Sequence, residues 1–192
     1  PIKNNLDEGI SSNVRSIIFN LFNNLSSLKT ENYQIEIKHL DVSSKSCLSK
    51  LGIRIGAKYF FVPNFFKKNA LELNAILWNI YYKSNINELY PLPKNGRVSF
   101  SSDIQMPESY WTAIGYISID NFLIRIDVFE RIFFLARQKI KFGPFLMSSD
   151  MMNPIGCNSE QLENILKFCG FDNIIIGNEK KLFFYKPKKI IK

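Results

Sequence analysis

The sequence predicts an α+β chain, mainly helical, with a short sheet in its helical N-terminal part and a winged-helix-like C-terminal part. Three observations carry this reading. Apolar residues recur at helical spacing in several stretches, most clearly over residues 11–28. β-Branched and aromatic residues gather at about 53–62, the composition of a strand. The last third runs as helix, short helix, turn, helix, hairpin, which is the succession of a winged helix. The 192 residues are 46% hydrophobic and 22% charged, proportions that permit a real core. Seventeen phenylalanines predict that aromatic rings fill much of it. The expected organisation is a helical subdomain over 1–90, a connector over 91–106, and a winged-helix-like subdomain with a basic tail over 107–192.

Val14, Ile17, Ile18, Leu21, Phe22, Leu25 and Leu28 form one stripe, so a helix is expected from Ser11 to Leu28. Ser11, Ser12 and Asn13 offer oxygens to the free N–H groups at its start. The stripe is either a docking face for another domain or, more simply, packing for the chain's own core. Residues 32–40 alternate weakly and do not decide between helix and strand. Asp41 is placed to cap a short helix through Leu51, which Gly52 ends by accepting a left-handed conformation. Ile53 to Val62 reads as one strand, bent at Gly56 and ended by Pro63. A second long helix follows from Lys68 to Lys83, with Leu71, Leu77, Trp78 and Tyr81 close together on its surface. Pro91, Pro93 and Asn95-Gly96 mark the connector.

Pro107 suits the first turn of a short helix to Ile114, stopped by Gly115. Tyr116–Ile119 and Phe122–Ile124 read as a hairpin about Asp120-Asn121. Asp127 and Glu130 have the spacing of a capping box, opening a helix to about Ile140 with Phe129, Ile132, Phe133, Ala136 and Ile140 inward. Gly143-Pro144 breaks the chain. Ser148 caps a short helix through Met152, and Asn153-Pro154-Ile155-Gly156 turns. Asn158, with Gln161 at the reciprocal position, caps a helix that buries Leu162, Ile165, Leu166 and Cys169, and Gly170 ends it. Residues 174–176 and 182–184 then form a hairpin around Gly177-Asn178.

Little in the sequence points to catalysis. No phosphate-cradling loop and no nucleophile elbow occurs, and the carboxylates are scattered. Cys47, Cys157 and Cys169 are far apart and lack metal-ligand spacing, so free buried thiols in a reducing, cytoplasmic setting are expected. His39, the one histidine, has no partner motif and reads as a surface or helix-end residue. No apolar run reaches the ~20 residues that span a bilayer. The start is polar and is not Met, so the chain is expected to be a cut from a longer one or a processed product.

The formal net charge is +8. It favours a polyanionic partner, and it equally follows from AT-rich coding, since Asn, Lys, Ile and Phe dominate the chain. One basic cluster surrounds the first strand: Arg54, Lys58, Lys67 and Lys68. Another crowds the end: Lys180, Lys181, Lys186, Lys188 and Lys189, with Lys192 beyond. Lysines so placed make weak, sequence-blind contacts to phosphates. The interleaved Phe183, Phe184 and Tyr185 either stack on unpaired bases or, the favoured reading, alternate into the core. The helix at 159–169 is expected to expose Glu160, Gln161, Glu163, Asn164 and Lys167. Its two carboxylates would repel phosphates, which argues against insertion into a groove and for a structural or protein-facing role.

The run Leu51-Gly52-Ile53-Arg54-Ile55-Gly56 is followed by Phe61-Val62-Pro63, Ala75-Ile76-Leu77-Trp78 and Gly96-Arg97-Val98-Ser99-Phe100. Tyr110 to Tyr116, Arg125-Ile126-Asp127, Gly143-Pro144-Phe145 and Leu166 to Phe171 complete the series. In order and spacing these resemble the far C-terminal region of alphaproteobacterial superfamily 2 DExH-box ATP-dependent helicases, enzymes related to the mitochondrial degradosome RNA helicase. The resemblance covers most of the chain. The family's version is rich in Arg and Ala, where this chain uses Lys, Asn, Ser and Ile. The resemblance implies a non-catalytic accessory region that follows the motor and contacts single-stranded RNA or DNA through lysines. ATP and Mg would belong to the upstream motor domains of the same polypeptide, with no cofactor, metal or catalytic residue in this chain and no membrane partner. The alternatives are a protein-docking module without nucleic-acid binding and a stand-alone winged-helix DNA-binding protein.

Overall fold

The computed structural model describes residues 11–82, 92–94, 96–104, 106–177 and 180–186. Among them the chain is α+β and mainly helical, with eight α-helices and nine short strands in three three-stranded sheets. It divides into two compact units, residues 1–96 with 106–117, and residues 97–105 with 118–192.

In the first unit, α1 (Ser12–Asn23) buries Val14, Ile17, Ile18 and Leu21, and the Ser11 hydroxyl accepts the Val14 N–H. The helix is shorter than its apolar stripe suggests. The Asn24 N–H closes on the last turn and Leu25 takes φ +68°, which redirects the chain. Leu28 therefore sits in strand β1 (Ser27–Lys29) and not on the helix. Helix α2 (Gln34–Lys38) resolves the ambiguous stretch. The Asp41 carboxylate accepts the Ser44 N–H at 2.7 Å and starts α3 (Val42–Lys50).

The expected single strand is a hairpin. β2 (Arg54–Ile55) and β3 (Tyr59–Phe61) pair antiparallel because the chain folds back after Gly56, whose N–H donates to the Tyr59 carbonyl at 2.8 Å. β3 is central in the order β1-β3-β2, with Leu28 opposite Phe60. Val14, Ile17, Leu21, Leu48, Ile53 and Phe60 meet in one core. After a 3-10 turn at Pro63–Phe66, α4 (Lys68–Tyr82) buries Leu71, Ala75 and Trp78. α5 (Glu108–Ala113) places the buried Tyr110 edge-on to Trp78, ring centroids 5.3 Å apart. The Ser26 and Ser27 hydroxyls both donate to the Thr112 carbonyl at 2.8 Å, tying α5 to β1. These contacts explain why 106–117 belongs with the first unit. Gly115 ends α5 with φ +78°, and a Cβ there would stand 2.2 Å from the Phe66 ring. Only glycine fits so close an approach.

The chain enters the second unit within β5 (Tyr116–Ile119). β5 and β6 (Phe122–Arg125) flank Asp120 and Asn121, both at positive φ as a two-residue hairpin loop requires. With β4 (Ser99–Ser101) they form a sheet in the order β4-β6-β5. α6 (Ile126–Lys139) buries Phe129, Ile132, Phe133 and Ala136, while Ile140 is half-buried. The capping box expected of Asp127 and Glu130 does not form. The Arg125 guanidinium takes both Asp127 carboxylate oxygens, at 2.7 and 2.9 Å.

Gly143 and Pro144 lead into β7 (Phe145–Leu146), two residues long and too short to announce itself as a strand. α7 (Ser149–Met152) and α8 (Ser159–Phe168) follow, and Asn158 and Gln161 form the expected capping box. β8 (Phe171–Ile176) and β9 (Lys180–Tyr185) complete an antiparallel sheet in the order β7-β9-β8. Phe145, Phe171 and Phe183 pack together beneath it, with centroids 5.7 and 6.1 Å apart. Among the described residues, no helix is long and apolar enough to cross a membrane.

Candidate nucleic-acid interface

The structure distributes the predicted cations over both units. In the first, Arg54 is exposed on β2, an edge strand. Lys58 lies half-buried in the β2–β3 turn, where its carbonyl accepts the Thr30 N–H at 2.8 Å. Lys67 closes the 3-10 turn and Lys68 opens α4, both exposed. Lys68 stands 4.0 Å from Glu72, a weak surface pair. No described carboxylate pairs with Arg54 or Lys67. Lys67, directly before α4, adds its charge to the positive field of that helix N-terminus.

In the second unit, α8 and the β8–β9 hairpin wall a cleft of about 850 Å³, with Leu146 and Met152 at its apolar side and Ser159 and Asn164 along α8. Lys180 and Lys181, predicted from the sequence, line it together with Lys167. Lys186 lies away from it, 3.5 Å from Asp172. Lys188 and Lys189 fall outside the described residues. Phe183 is fully buried, while Tyr185 is half-exposed and leans on Phe171, so the aromatic residues of β9 serve the core first.

Glu163 is where the structure departs most from the sequence reading. It does not stand free against an incoming phosphate. It is only 8% exposed. Its Oε1 accepts from Lys167 Nζ at 2.8 Å and from Asn173 Nδ2 at 3.0 Å, and its Oε2 accepts from Lys181 Nζ at 2.5 Å. The Lys167 and Lys181 hydrogen bonds hold its carboxyl well below the usual range, at about 2. The same contact raises the Lys167 pKa. Within the cleft three lysines face two glutamates, so the lining carries one net positive charge. The i, i+4 spacing of Glu163 and Lys167 was a visible signal. Lys181, from a strand, was not.

The remaining polar groups are less suggestive. His39 is exposed at the end of α2, its Nδ1 2.7 Å from the Ile35 carbonyl. Burial pushes the Cys157 thiol up to about 11, far from the range of a reactive thiolate. Among the described residues, no group of three or more His, Cys, Asp or Glu could hold a metal ion. No family model, curated protein or solved structure matches the chain.

Proposed function

We propose that this chain is the non-catalytic accessory region of an ATP-dependent helicase of the DExH-box kind, acting in the cytoplasm and gripping single-stranded RNA or DNA through lysines while a motor elsewhere in the same polypeptide spends ATP with Mg. The observation that carries the reading is the α8–hairpin cleft with Lys167, Lys180 and Lys181 on its walls. With Glu163 neutralised by its partners, the electrostatic objection to an acidic helix weakens to Glu160 alone. The succession α6, β7, α7, α8, β8, β9, with sheet order β7-β9-β8, supports a winged-helix reading of the second unit. Arg54 and Lys67 offer a further basic surface in the first unit.

Fluorescence anisotropy with labelled single-stranded RNA and DNA across a salt series tests this. The expected result is binding that weakens steeply with salt, by about 0.7 in log–log slope for each phosphate neutralised. The chain alone should not turn over ATP. Sequence-selective duplex binding would favour a stand-alone DNA-binding protein. Flat, salt-independent binding or none would favour the second reading, a protein-docking module. That reading has its own support, because Leu73, Ile76, Leu77, Ile80 and Tyr81 form an exposed apolar stripe on α4.

A further inference from the structure

We propose that Glu163 is a positioning residue for anion binding, and that its carboxylate holds the Lys167 and Lys181 ammonium groups side by side as a receptor for one backbone phosphate of a single strand. The inference rests on the nucleic-acid reading above and deepens it. The geometry argues for it in three steps. Glu163 is anchored from below by Asn173 and is itself nearly buried, so its two oxygens are fixed points. Lys167 comes from a helix and Lys181 from a strand, and each would otherwise sample many rotamers; one oxygen of the same carboxylate takes each of them, at 2.8 and 2.5 Å. Neighbouring oxygens of one carboxylate thus bring two like charges together, which neither lysine would do alone. Each ammonium carries three N–H donors and gives one to Glu163. The pair remains part-exposed at the cleft, where a tetrahedral anion with several oxygens can bridge both.

The inference makes a prediction of unusual sign. Removing a negative charge from an anion site ordinarily tightens binding. Here Glu163→Gln should weaken it, because the lysines lose their common anchor. Binding of the full chain to a labelled oligouridylate, read by anisotropy at several salt concentrations, decides the matter. Glu163→Gln should lower affinity roughly threefold to tenfold, and Lys167→Ala with Lys181→Ala should lower it further and reduce the salt slope. Glu163→Asp keeps the charge but shortens the reach, and it should weaken binding as well. That second variant stands in if the glutamine variant fails to fold by far-UV circular dichroism. If the wild-type chain does not bind the probe, the nucleic-acid reading itself fails. If the wild type binds, the double lysine variant weakens it, and Glu163→Gln binds tighter or Glu163→Asp binds unchanged, the reading stands and the positioning role is overturned.

Discussion

Each unit holds some cations, as Lys29 is held by Glu108 at 2.7 Å in the first, but the cations predicted as a nucleic-acid grip are treated differently in the two. In the first, Arg54 and Lys67 project from short exposed elements with no described carboxylate against them. In the second, Lys139 meets Asp150 at 3.3 Å, Lys186 meets Asp172, and Lys167 and Lys181 share Glu163. A free cation contributes a field and little else. A held cation contributes position, and it also becomes part of what keeps the fold together. The difference teaches that one net charge of +8 covers two kinds of lysine, and only the second kind links folding to a site.

The largest expected effect separates the units as folding bodies. Gly115→Ala sets a methyl group against the Phe66 ring at a positive φ, so strain and overpacking add. The expected cost is about 3 kcal/mol, read by urea denaturation. Hydrogen exchange should show α4 and α5 losing protection while α8 keeps it. Equal loss in α8 would mean that the units unfold together, and the comparison would have to be abandoned as a statement about stability.

The second prediction concerns the held lysines. Glu163→Gln should cost roughly 1–2 kcal/mol, less than a fully buried ion pair because both lysines are part-exposed. The sign with pH follows from the lowered carboxyl. Its stabilisation is complete above the ordinary value of 4.5 and is lost as pH falls from there toward about 2. The wild type should therefore lose stability across that window more steeply than the variant. Thermal melts at a series of acid pH values would check it, and parallel curves for the two proteins would show that Glu163 carries no such linkage. A smaller loss is expected at the start of the same helix. Asn158→Ala removes one half of the capping box on α8 and should cost about 1 kcal/mol by urea denaturation.

Much of this was legible in the chain because the signals were local. Asp41, Asn158 and Gly52 lie within a few residues of what they cap or end, and the Asp120-Asn121 hairpin loop is read from two side chains. Two of the misreadings occur where a distant partner decides, and one where a near neighbour competes. Leu25 and Leu28 continue the α1 period by accident, since Leu28 is buried by its place opposite Phe60 in the sheet. Asp127 has the spacing of a cap, but the guanidinium two residues earlier takes its oxygens. Glu163 reads as an exposed acid until a strand 18 residues onward delivers Lys181 to it. The positions of the basic residues were legible. Which of them were held, and by what, depended on tertiary contacts that no short window contains.

The smallest effect is also the cleanest probe of the opening contrast. Arg54→Ala with Lys67→Ala deletes two cations that no described residue pairs with, so stability should move by no more than about 0.5 kcal/mol. Lys181→Ala deletes one cation and orphans part of Glu163, so stability should fall measurably more despite the smaller change in charge. Nucleic-acid binding should sort the same variants differently. The free cations act through the long-range field, so their loss should reduce the salt slope and slow association, with little change in dissociation. Loss of Lys181 should speed dissociation. Stopped-flow measurements on labelled single-stranded RNA separate the two rates, and a shared kinetic signature would mean that free and held lysines act alike once a phosphate arrives.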